Sequence, residues 1–139
     1  MGGKRIHGLD SIRAQGWLPQ RETAIGTFIL WLDAWAAESW EGMASLCQLT
    51  ARLSYETLGG WLKSVYGTYI LVDAEIEDIV EVSPVCVDIN AKLCCLDDKR
   101  EQHTSFVTAR IIRESGLRQP SETGEWGVNP LAAMRGLFR

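Results

Sequence analysis

The chain has 139 residues, is 46% hydrophobic and 23% charged, and carries a formal net charge of −4. Those values describe an ordinary globular chain of about one domain, long enough for a core without disulfide or metal staples. They give no electrostatic reason to expect nucleic acid, which favours basic stripes, and no apolar run approaches the roughly 18 residues that span a bilayer.

At the N-terminus, Lys4 and Arg5 are followed by no apolar stretch. The segment does not read as a secretory leader, and a cytoplasmic location is expected. Cys47, Cys86, Cys94 and Cys95 form neither a C-x-x-C pair nor a cluster with histidine. They read as free thiols, and no metal or cofactor is expected.

Residues 1–21 read as an N-terminal extension. Leu9, Ile12 and Arg13 can form a turn or two of helix, ended by Gly16 and Pro19, with Trp17 and Leu18 as an anchor. Residues 22–38 predict the clearest helix. Ile25, Phe28, Ile29, Leu32, Trp35 and Ala36 recur at helical spacing, and Leu30 and Trp31 widen the stripe. Ser39 suits the N-cap of a second helix, with Glu41 in its first turn and Trp40, Met43, Ala44 and Cys47 on its apolar side. The segment 49–53 breaks the pattern and reads as extended. A third helix is expected over Tyr55 to Tyr66, closed by Gly67 in a left-handed cap. Gly59-Gly60 inside it implies either a later start or the close approach of another backbone.

The sheet follows, from residue 68 to 113. In the first run Ile70, Val72, Ala74, Ile76, Val80 and Val82 share one parity, and Asp78 breaks it, which predicts a bend or bulge there. Ser83-Pro84 is a turn. The second run sets Val85, Val87, Ile89, Ala91, Leu93 and Cys95 against Asp88, Asn90 and Lys92. A polar hairpin loop covers residues 97–101. The third run sets Val107, Ala109 and Ile111 against Phe106, Thr108, Arg110 and Ile112. Residues 114–124 read as a long loop, Trp126 and Val128 as a short last strand, and residues 131–139 as a tail or short helix. Helices followed by antiparallel strands make an α+β fold. The simplest arrangement packs three N-terminal helices on one face of a curved, mainly antiparallel sheet, a cone-shaped roll over residues 22–130 that leaves room for a ligand.

Three stretches carry a resemblance: Trp35-Ala36-Ala37-Glu38-Ser39-Trp40-Glu41-Gly42-Met43, the Leu58–Gly67 helix, and Ala109–Glu114 followed by Gly124-Glu125-Trp126-Gly127-Val128. With the order of elements, they resemble the nuclear transport factor 2-like superfamily of cystatin-like α+β rolls, from about Thr23 to Pro130. The resemblance implies a cone between helices and sheet and a homodimer through the open sheet face. The superfamily holds isomerase-, dehydratase-, epoxide hydrolase- and cyclase-like enzymes beside many non-catalytic binding and assembly domains, so fold alone does not choose the function. Isomerase-like members carry an acid in the segment after helix two; here that segment, Leu49 to Tyr55, has no carboxylate before Glu56.

Three residues are candidates for acid–base chemistry. Asp33 is either a pocket acid or part of a polar helix edge. Glu56 is either a rim base or a first-turn residue favoured by the helix dipole. His103 is either a proton-transfer partner or an exposed strand end. Trp31, Trp35, Trp61, Tyr55 and Tyr69 are candidates to line a pocket for a small apolar ligand, or else to fill the core. Glu75, Glu77, Asp88, Lys92, Phe106, Arg110 and Ile112 belong to the outer sheet face, as a partner surface or a solvated one. Two functions stay open: a binding or protein-interaction module, and an isomerase, dehydratase or cyclase.

Overall fold

The computed structural model describes residues 9–131. Five helices, α1 (Asp10–Ala14), α2 (Ala24–Ala36), α3 (Trp40–Ser45), α4 (Leu49–Ser54) and α5 (Leu58–Tyr66), precede five strands. The strands are β1 (Ile70–Ser83), β2 (Cys86–Leu96), β3 (Gln102–Gly116), β4 (Gln119–Pro120) and β5 (Glu125–Asn129). The fold is α+β, with the helices ahead of a curved, unclosed antiparallel sheet. No helix among the described residues is long and apolar enough to cross a membrane. The expected tail falls outside the described residues from Ala132 onward.

α2 is the helix that the apolar stripe predicts. Thr23 caps it, its hydroxyl accepting from the Gly26 N–H at 2.9 Å, which satisfies a donor the helix itself leaves open. Phe28, Trp31, Leu32 and Trp35 are all at most 1% exposed. Trp31 and Trp35 meet Tyr66 of α5 edge-on, with centroids 5.2 and 5.0 Å apart, the geometry that sets a ring's positive edge on its neighbour's negative face. Glu38, at φ 58°, makes the sharp turn into α3. Ser39 stands at the expected N-cap but gives no side-chain bond there.

Three local expectations are corrected. Residues 49–54 are helical, not extended. Gly67 is right-handed at φ −71°, not left-handed. α5 begins at Leu58 and includes both glycines, so Tyr55 precedes it. What approaches Gly59 is a side chain, not a backbone: a Cβ there would lie 2.1 Å from a Glu41 carboxylate oxygen.

The sheet order is β1-β2-β3, with β4 and β5 both paired to the end of β3. The parity of β2 is as expected: Val87, Ile89, Ala91, Leu93 and Cys95 are buried. The parity of β1 is not. Register shifts fall between Leu71 and Asp73, Ile76 and Asp78, and Glu81 and Ser83. The second is the irregularity expected near Asp78. Each extra residue flips the faces of the residues beyond it. Leu71, Ala74 and Ile76 are therefore buried, while Val72, Val80 and Val82 are exposed.

α1 lies along β1, the edge strand. The Gln15 amide donates to the Ile76 carbonyl at 2.8 Å and accepts from the Ile76 N–H at 2.9 Å. It thereby takes the place of a neighbouring strand at that one residue of the edge. Leu9 and Ile12, 4% and 2% exposed, anchor the helix; Leu18 is 59% exposed. At the other end, Gln48 N–H donates to Val128 C=O and Val128 N–H to Leu46 C=O, at 3.0 and 2.9 Å. A Cβ on Gly127 would sit 2.3 Å from Gln48 Cα. Only glycine lets this segment, which carries Gln48 and leads into α4, lie against β5.

Candidate functional site

Glu114 has the parity of the exposed Phe106, Thr108 and Arg110, yet it is 3% exposed. α4 packs over that end of β3 and supplies the donors a buried carboxylate needs. The Thr50 N–H and hydroxyl donate to it at 2.9 and 2.7 Å, and Gln48 Nε2 at 3.3 Å. Glu114 thus caps α4, whose own sequence offers no side-chain cap. The Thr50 hydroxyl oxygen also accepts the Arg118 N–H at 2.8 Å, which ties the β3–β4 turn to α4. Arg118 itself has φ 53°.

Above this network opens a cleft of about 230 Å³, whose walls include Gln48, Thr50, Tyr55, Trp61, Arg118 and Asn129. The rings of Tyr55 and Trp61 are nearly parallel, at 11°, with centroids 6.4 Å apart. Tyr55 is 52% exposed, and Trp61 is half-buried. The chemistry available here is stacking on an aromatic face together with a few fixed polar groups, the usual make-up of a small-molecule site.

The other ligand candidates lie elsewhere. Trp31 and Trp35 are at most 1% exposed and belong to the aromatic core. Tyr69 packs edge-on to His103, at 6.0 Å. The acid–base candidates sit on three separate elements, and none lines the cleft. Asp33 is half-buried on α2, and Glu56 is exposed in the turn before α5. His103 lies 2.7 Å from Asp97 of its own hairpin. Asp97 also accepts from the Lys99 and Glu101 N–H groups, at 2.8 and 2.9 Å, and the His103 bond chiefly lowers its pKa. Asp97, Glu101 and His103 bring three ligand-type atoms within 4.8 Å of one another, at an exposed turn that Asp97 organises by itself.

On the outer sheet face, Arg110 holds Asp88 with two bonds, at 2.8 and 2.9 Å, which draws the Asp88 pKa down. Lys92 lies 3.6 Å from Glu75. Glu77 is exposed at the second bulge, and Ile112 is half-buried. Phe106 is 64% exposed.

Comparison with protein-family models, with curated proteins and with solved structures finds no match. What the chain does must therefore be argued from its own side chains.

The cysteines are unpaired. Burial pushes the Cys47 and Cys95 thiols up to about 12, so at pH 8 only about one in ten thousand of either would be the reactive thiolate. Ellman's reagent at pH 8 should titrate no more than Cys86 and Cys94 rapidly in the folded chain, and all four thiols in guanidinium. Four fast thiols in the folded state would contradict the burial described.

Gln48, Thr50, Arg118 and Asn129 carry no sequence motif that marks them as a site. Their signal is tertiary, because the β3–β4 turn must fold over α4 before they meet.

Proposed function

We propose that this chain is a non-catalytic binding module of the nuclear transport factor 2-like type, cytoplasmic and homodimeric. It would hold a small, largely apolar molecule in the cleft between α4, α5 and the strand ends. The observation that carries this reading is one concavity joining a near-parallel aromatic pair, Tyr55 and Trp61, to a polar floor fixed by the buried Glu114. The same observation favours binding over acid–base catalysis, since Asp33, Glu56 and His103 stand apart from the cleft. A fragment screen by ligand-observed NMR tests it: hits on the wild type should vanish with Trp61→Ala while the circular dichroism spectrum is kept. Hits indifferent to Trp61 would place binding elsewhere.

The dimer would form through the outer sheet face, where Phe106 and Val80 are exposed among paired charges. A buried aromatic anchor within a charged rim is what such an interface needs. Phe106→Lys should convert a sedimenting dimer to a monomer, and a wild-type chain that sediments as a monomer removes this part of the proposal.

A further inference from the structure

We infer that the cleft takes a planar aromatic carboxylate that also carries an N–H donor; this rests on the cleft being the binding site. Two groups at the cleft make the case, and each lacks the complement such a ligand would bring. The first is Arg118. No ion pair among the described residues involves it, and its backbone bond to Thr50 holds it at the cleft wall. A guanidinium is a fork of donors matched to a carboxylate.

The second is Gln48, 8% exposed and also on the cleft wall. Its Oε1 is buried with no hydrogen-bond partner among the described residues. The amide cannot turn to relieve this, because Glu114 accepts only and so requires Nε2 on its side. Oε1 is closed to solvent, so a ligand N–H or O–H supplies the missing donor only by displacing the cleft wall beside it, which an acceptor left unmet rewards. The aromatic pair adds the preference for a flat ring.

The same geometry argues against a phosphate. The Thr50 N–H in the first turn of α4 would be a natural phosphate donor, but it is already taken by Glu114. A single arginine then faces the cleft, which matches a singly charged group.

Isothermal titration with three related probes tests this. Indole-2-carboxylate has both groups, indole-2-carboxamide lacks the charge, and benzofuran-2-carboxylate lacks the ring N–H. The wild type should bind the first at least tenfold more tightly than either of the others. Arg118→Asn, chosen because asparagine tolerates a left-handed backbone, should bring the indole acid to within threefold of its amide. The inference is overturned if the amide binds as well as the acid, if loss of the ring N–H changes nothing, if Arg118→Asn has no effect, or if no probe binds at millimolar concentration. Equal binding of all three that still depends on Trp61 leaves the cleft standing and removes only the ligand class. Binding that survives Trp61→Ala removes both.

Discussion

Glu114→Ala should lower the stability of the folded chain by about 3 kcal/mol, through buried donors left without an acceptor. The substitution strands the Thr50 N–H, the Thr50 hydroxyl and the Gln48 amide. Each unmet buried donor costs roughly 1–3 kcal/mol, and relief from burying a charge returns part of the sum. Glu114→Gln keeps one acceptor oxygen but turns an NH₂ group toward a donor, so its loss should be smaller, about 1–2 kcal/mol. For a chain of this length the alanine variant should melt roughly 10 °C lower. Thermal unfolding followed by circular dichroism reads both variants. Glu114→Ala within about 1 kcal/mol of the wild type would show that α4 does not depend on this carboxylate.

The same residue shows why part of this molecule could be read from its sequence and part could not. The class of the fold follows from local patterns: the stripe of α2, the strict alternation of β2, and helices placed ahead of strands. β1 defeats such a reading because its bulges answer to β2. Its even-numbered apolar residues look continuous, yet pairing to β2 shifts three times and puts Val72, Val80 and Val82 outside. α4 defeats it because the acceptor that starts the helix lies more than sixty residues downstream. Of the cleft, the aromatic half was legible, since Tyr55 and Trp61 stand out by residue type. The polar half was not. The pattern of residues 114–124 reads as a loop, whereas β3 runs on to Gly116, and only the packing of α4 over that end lets Glu114 fix Gln48 and Thr50 on the cleft wall.

Trp35→Ala should be the costliest tryptophan change, at roughly 3–5 kcal/mol, the usual range for emptying a core aromatic site. Trp35 is 1% exposed and makes two kinds of contact. Its ring packs edge-on to Tyr66 and Trp31. Its indole N–H lies 3.1 Å from the Tyr66 carbonyl and 3.2 Å from that of Tyr69, holding the end of α5 where the chain turns into β1. Tyr66 in turn donates its hydroxyl to the Pro130 carbonyl beyond β5, so the cluster ties α2, α5 and both ends of the sheet. Trp35→Phe keeps much of the ring but removes the indole donor from two carbonyls, of which that of Tyr66 still accepts the Tyr69 N–H at 3.2 Å, and should cost about 1–2 kcal/mol. Trp61→Ala, at a half-buried position on the cleft wall, should cost clearly less than Trp35→Ala, because less apolar surface leaves water there on folding. Urea titration of the three variants orders them. If Trp61→Ala destabilises as much as Trp35→Ala, then Trp61 is a core residue, and the aromatic wall of the cleft exists to hold the fold, not a ligand.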